Sequence, residues 1–318
     1  MINCVFINPV WLRVPAIISM KFEIVCDSSA DLSEEYAERS HLNVVPFYVS
    51  LDGEKYFREG KEISIAEFYQ AMVDHGDWYP KTSMPSIQDY VDAFLPIVEK
   101  GMPILCICIT KKFSGSMQSA LNARMLIEEE HPDAKIYVMD SKLVTALQGL
   151  FVEEAIRLRD MDLELEKAVQ LLEDIRSTGR IFFTTKDLKY LRNGGRIGKA
   201  ACIAGSVLNL KPVLFFSDGE LGPAEVCRGR KKSIQRIIDR FFEYIEKEKI
   251  KLSEYIFATG IGLDNPDYEP FIKALEKRFE ETGIHPANWS KMHIGATIGV
   301  HTGPYPMGLG ILKKCPIE

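Results

Sequence analysis

The chain has 318 residues, 46% of them hydrophobic, with a formal net charge of −6 at pH 7 and a pI near 5.7. That is enough apolar material for one large domain or two ordinary ones, and the acidic balance argues against general nucleic-acid binding. Seven cysteines, at 4, 26, 106, 108, 202, 227 and 315, include no C-x-x-C spacing for zinc or a redox pair and read as small core residues of a reducing, cytoplasmic compartment.

In chain order, residues 1–19 are interrupted by Pro9, Arg13 and Pro15 and carry no cleavage site, so they do not read as a signal peptide. Met20 stands directly before the apolar run Phe22 to Cys26 and is the expected natural start, which leaves residues 1–20 as an extension. No apolar run approaches the roughly 20 residues of a membrane span. Phe22 to Cys26 predicts a strand leading into Asp27-Ser-Ser-Ala-Asp-Leu32. Leu42 to Leu51 predicts another strand, Ile65 to Val73 a helix, and Pro80-Lys-Thr-Ser-Met-Pro-Ser86 a rigid, polar, non-helical loop. Ile104 to Ile109 is apolar at every position, the pattern of a strand buried on both faces of a parallel sheet. It runs through Thr110-Lys-Lys-Phe-Ser-Gly-Ser116 into an amphipathic helix carrying Met117, Leu121, Met125 and Leu126. Ile136 to Met139 leads into Asp140-Ser141 in the same way, and this repeated alternation predicts a parallel α/β domain over residues 21–178.

The pattern changes near Ser177-Thr-Gly-Arg180. A strand from Ile181 to Thr185, a short helix ending at Asn193-Gly-Gly-Arg196, a helix through Ser206 and a hairpin turning at Asp218-Gly219 follow. A long helix from about Lys231 to Lys249 buries Ile234, Ile237, Ile238, Phe241, Phe242 and Ile245 as one stripe. Then come a strand from Tyr255 to Ile261, a helix near Phe271 to Glu281, and a final strand reaching Thr297-Ile-Gly-Val-His-Thr-Gly-Pro304. This half predicts an α+β domain over residues 179–318, so the fold class is α/β with two domains.

Loops at the carboxyl ends of parallel strands are where open α/β sheets place ligands. Ser114 and Ser116 lie on such a loop at a helix start, where hydroxyls and free N–H groups can hold a carboxylate or phosphate head. The same two serines also suit plain helix capping, and the residues alone leave these readings even. Thr82 and Ser83, taken alone beside Pro85, read as turn residues, and His301 as a core histidine at a strand end. Ser114 with His301 as nucleophile and base would make a serine-dependent acyl hydrolase or transferase, but no G-x-S-x-G elbow and no third triad member are present. A phosphotransfer or sugar-kinase-like protein is a second alternative, weaker still because there is no Walker loop and no carboxylate set for magnesium, and no cofactor is expected. Arg192, Arg196, Lys199, Arg228, Arg230, Lys231 and Lys232 form a basic cluster in an acidic chain; Arg230 to Lys232 read as a solvated helix start, and Gly194-Gly195 as a tight turn.

Seven pieces in order resemble the signature of the DegV family, bacterial fatty-acid-binding proteins that include the acyl-binding subunit of a two-component fatty acid kinase. They are Asp27-Ser-Ser-Ala-Asp-Leu32, Thr82-Ser-Met-Pro-Ser86, Phe113-Ser-Gly-Ser-Met-Gln-Ser-Ala120, Asp140-Ser141, Tyr190-Leu-Arg-Asn-Gly-Gly-Arg-Ile197, Leu210-Lys-Pro212 and His301-Thr-Gly-Pro304, spanning roughly residues 21 to 315. The resemblance implies a lipid site between the two domains, with a long-chain fatty acid buried by its tail and its carboxylate held by Thr82, Ser83, Ser114 and His301. It implies a chain that is not itself a catalyst: the carboxylate is presented to a separate ATP-dependent fatty acid kinase, with transient membrane-surface contact for lipid exchange. Arg196 and Arg228 match family positions associated with a positive docking surface. Ser116 and Met117 stand where relatives usually have threonine and tyrosine, and Tyr305 where glycine is usual. These three are candidate pocket-lining residues, Met117 for the tail channel and Tyr305 for the mouth or head group.

Such a ligand makes two demands. Some fifteen methylenes at roughly 0.8 kcal/mol each provide about 12 kcal/mol of gross attraction before association costs, but no orientation. The carboxylate needs hydroxyl or imidazole donors in place of its hydration, at a cost of several kcal/mol without them.

Overall fold

The computed structural model describes residues 21–75, 79–203, 210–222, 225–283 and 289–317. The extension expected at residues 1–20 and the last turn of the helix expected through Ser206 lie outside these residues.

The first half contains β1 (Glu23–Asp27), α1 (Glu34–Arg39), β2 (Leu42–Val45), β3 (Tyr48–Ser50), β4 (Tyr56–Arg58), α2 (Ile65–Asp74), β5 (Lys81–Ser83), α3 (Ile87–Val98), β6 (Ile104–Cys108), α4 (Ser116–Glu130), β7 (Ile136–Asp140), α5 (Thr145–Asp160) and α6 (Leu165–Ile175). Local chemistry starts the helices: Ser64 and Ser86 close capping boxes with Glu67 and Asp89 at the heads of α2 and α3. Strands β2, β1, β6 and β7 form a four-stranded parallel sheet in that order, and every residue of β6 is buried, as its unbroken apolar run predicts.

The run from Leu42 to Leu51 is not one strand. Pro46 has no N–H to donate to a ladder and divides it. On one side β2 pairs with β1; on the other β3 pairs antiparallel with β4 and β5 in a separate three-stranded sheet. The polar stretch around Thr82 is therefore an edge strand, held by the register of Thr82 against Val49.

The second half contains β8 (Arg180–Thr184), α7 (Lys189–Asn193), β9 (Leu210–Ser217), β10 (Glu220–Leu221), β11 (Glu225–Arg228), α8 (Arg230–Lys247), β12 (Tyr255–Ile261), α9 (Tyr268–Thr282), β13 (Trp289–His293), α10 (Ala296–Thr302) and β14 (Met307–Lys313). A seven-stranded sheet runs β10-β9-β8-β14-β12-β13 with β11 also on β9, antiparallel except between β12 and β13. The apolar stripe of α8 packs with α9 on one face of this sheet, where Phe182, Phe241, Phe257 and Phe279 are buried together. The described part of the segment expected to be helical through Ser206 forms a 3-10 helix, Gly198–Ile203.

Helix α5 is buried on almost every side, because it packs against β1 of the parallel sheet and against β12 and β14 of the mixed one. Its core continues without a break from one sheet to the other.

The expected final strand through Thr297 to Pro304 is a helix, α10. Ile298, Gly299 and Val300 read locally as strand, but a carboxylate from far upstream decides otherwise. Glu59 accepts hydrogen bonds from the Thr297 amide at 2.9 Å and hydroxyl at 2.7 Å, satisfying donors at the helix start. Gly303, at φ +79, turns the chain out of the helix into the true last strand, β14.

Candidate functional site

A cavity of about 180 Å³ lies between α5, α10 and the mixed sheet. A single water needs only about 10–15 Å³ of such space, so this is room for an apolar group and not a packing fault. Ile181, Phe183, Ala258, Gly260, Gly308 and Gly310 on β8, β12 and β14 line one side, and Val144 to Leu147 at the start of α5 line another. Ile294, Thr297, Ile298 and His301 contribute a helical stripe along and just before α10. Thr82, Met84, Ser114, Gly115 and Arg196 also line the cavity, and the exposure of Met84, Gly115 and Arg196 marks this end as its mouth.

The polar groups gather at the mouth. Nε2 of His301 lies 3.3 Å from the Thr82 hydroxyl, joining residues 219 positions apart. Nδ1 of His301 is buried without a hydrogen-bond partner. Gly194 packs directly against it: a Cβ added there would come within 2.0 Å of Nδ1. The first glycine of the Gly194-Gly195 pair is therefore needed for close approach, while the second, at φ +68, makes the tight turn. Burial, helped by the positive charge of Arg196, lowers the His301 pKa to about 4, so the ring is neutral at pH 7. Ser114 Oγ accepts from the Ser116 amide at 3.1 Å, which leaves its proton free to donate. Two hydroxyls and an imidazole backed by a guanidinium can together hold a carboxylate, whose arrival would favour protonation of the ring.

Arg196 is exposed at this mouth, where it donates to the carbonyls of Phe113 and Gly194 and so straps the serine loop to the glycine turn. Arg228 is exposed on β11 and does not line the cavity. Ser83 is exposed too, since neighbouring residues on a strand face opposite ways; its hydroxyl reaches the Met84 carbonyl at 3.4 Å. Ser116 does not reach the cavity. It is fully buried, donating to Asp27 at 2.7 Å and paired with the Tyr90 hydroxyl at 2.6 Å. Met117 packs on the core shared by α3, α4 and the parallel sheet, and not along the cavity wall. Tyr305 sits outside the lining, with Lys186 Nζ 5.8 Å from its ring centroid. The hydrogen bond of His301 is shared with Thr82 and not with Ser114, so the nucleophile and base pairing of a serine hydrolase is not formed.

Three buried acids carry no sequence signal of a role at the site. Asp27 accepts from Ser29, Ser116, Gln148 and the Ile109 amide, tying β1 to the serine loop and α5. Asp31, at φ +54, accepts from the Thr145 hydroxyl, and its other oxygen is buried without a partner. Glu59 accepts from Ser28 at 2.5 Å and from Thr297. Burial raises the pKa of all three. Thr145 and Thr297 line the cavity, and their hydroxyl protons are committed to Asp31 and Glu59, so they add no free donor to its apolar part. Asp27 and Asp31 lie in the motif noted above; Glu59 has no local signal at all.

The family model for an uncharacterised protein of the DegV family matches residues 21–314. The chain belongs to the DegV family. A DegV domain-containing protein of Listeria innocua is 31% identical over 290 residues, covering 91% of this chain and 97% of its own length. The fold of this DegV chain is similar to the crystal structure of a stearic acid-binding protein from Eubacterium ventriosum, at 40% identity and a TM-score of 0.86 over 92% of this chain and 98% of that one. It is similar also to a DegV family protein from Thermus thermophilus described by its fatty acid binding, at 30% identity and a TM-score of 0.81 over 92% and 100% of the two chains.

Proposed function

We propose that this protein binds a long-chain fatty acid, with the carboxylate at Thr82, Ser114 and His301 and the acyl tail in the cavity between α5, α10 and β12/β14. The observation that carries this reading is an apolar cavity whose polar groups converge at its open end, one of them a half-buried, neutral imidazole. The descriptions of the two similar structures support it. In delipidated protein, Ser114→Ala and His301→Ala are expected to weaken oleate binding by about tenfold or more, the scale of one hydrogen bond to a charged group, while far-UV circular dichroism stays unchanged. Wild-type affinity in both variants would sink this placement of the head group.

A buried tail with its head at the mouth suits delivery to a second protein. The chain presents the carboxylate to a separate ATP-dependent kinase, where a carboxylate oxygen attacks the γ-phosphorus and ADP leaves, giving the acyl phosphate. Transient contact with a membrane surface exchanges the lipid. Arg196 at the mouth and Arg228 beyond it supply positive charge for docking. Because Arg228 lies off the cavity, Arg228→Glu should lower kinase turnover at low salt and leave oleate affinity intact. Unchanged turnover would remove Arg228 from the docking surface.

A further inference from the structure

The cavity has a measurable axis. His301 marks the head-group end, and Ile298 and Thr297 continue the same lining stripe back along α10, with Ile294 just before it. From His301 back to Ala296 is five residues, or about 7.5 Å at 1.5 Å per helical residue, and Ile294 lies beyond the helix in extended chain. Beside Ile294 the opposing wall is made by β12 and β14, where Gly260 pairs with Gly308 and Ala258 with Gly310. Directly paired residues share a face, and alternate residues on a strand share it again, so these four positions form one patch without long side chains. Phe183 and Ile181, paired with Gly308 and Gly310 from β8, border the patch and line the cavity too.

The glycines are not equivalent. A Cβ on Gly308 would lie 2.5 Å from Phe183 Cβ and 2.8 Å from the Phe182 carbonyl oxygen, a backbone collision. The space beside Gly310 is filled by Leu147, whose Cδ2 and Cγ would be 2.7 and 3.0 Å away. A Cβ on Gly260 meets only the Ile294 side chain, at 3.3 and 3.4 Å, which a small rotation of that side chain can relieve. Gly260 is thus the position on this wall where a side chain can be added with little disturbance of the backbone, and it faces the cavity at the end of this stripe away from the carboxylate site.

We infer that Gly260, facing Ile294, is a specificity-determining residue that sets how long an acyl chain the cavity admits. This rests on the fatty-acid reading above. With no side chain at Gly260, Ile294 packs back against β12 and leaves the cavity open at this depth; with one, Ile294 is pushed into the cavity, and chains that reach this depth are excluded while shorter ones still anchor at Thr82, Ser114 and His301.

The test is a competition between decanoate and stearate for the delipidated full chain, with bound lipid read by mass spectrometry, in wild type, Gly260→Ala and Gly260→Val. Changes of a methylene or so in an apolar pocket alter preference by about 10-fold to 200-fold. The bound decanoate-to-stearate ratio is expected to rise about tenfold or more in Gly260→Val and by a smaller factor in Gly260→Ala. Should Gly260→Val fail to fold, the Ala variant decides alone, since its Cβ contacts are tolerable. A wild-type ratio in a folded variant, or an equal loss of both chains, would overturn the role of Gly260. Failure of wild type to take up either acid would instead overturn the fatty-acid reading itself.

Discussion

His301 combines a hydrogen bond from a strand 219 residues away, an unpartnered nitrogen against Gly194, and a pKa pushed down to about 4. An imidazole with so little access to water waits in the neutral state, and a ligand carboxylate would supply the charge that makes protonation favourable. This arrangement has a signature in stability. An unfolded chain's histidine takes up its proton near pH 6.5, whereas His301 in the ligand-free fold does so only near 4. Between those values the unfolded state binds more protons, so the contribution of His301 is complete above about pH 6.5 and is lost as pH falls toward 4. The urea midpoint of delipidated wild type should therefore drop more across that window than that of His301→Gln. Parallel curves would contradict the neutral histidine. The sequence alone leaves this residue as one histidine among six, because neither the Thr82 contact nor the Gly194 approach has any expression in spacing.

At the scale of elements, segments whose patterning is local were legible. The all-apolar run of β6 reads as a doubly buried strand, the aromatic and isoleucine stripe of α8 as an amphipathic helix, and Asp218-Gly219 as the hairpin turn between β9 and β10. Segments decided by distant partners were not. Thr297 to Thr302 is helical with Glu59 at its start, and β2 and β3 join different sheets although only Pro46 and Phe47 separate them. Strand β14 has a weak sequence signal because Gly308 and Gly310 interrupt its apolar residues, and those glycines are what keep the cavity open beside α5. The weak strand signal and the ligand space have the same origin: missing side chains on one face.

At the scale of the molecule, the site is assembled from segments that no single stretch of sequence connects. Edge strand β5 brings Thr82, the loop after β6 brings Ser114, and the end of α10 brings His301; the order of the motifs, and not their separation, linked them before the structure did. The cavity itself was illegible, since a leucine lining a channel and a leucine filling a core have the same pattern. Met117 shows the reverse error: its position just after the serine loop suggested the channel, but the turn of α4 directs it into the opposite core. No helix among the described residues is long and apolar enough to cross a membrane. Whether this space holds a fatty acid is read out by mass spectrometry of the organic extract of gently purified protein against a mock purification. A long-chain fatty acid near one equivalent per chain is expected; an empty extract, from protein that also fails to take up added oleate or palmitate, would rule out fatty-acid binding.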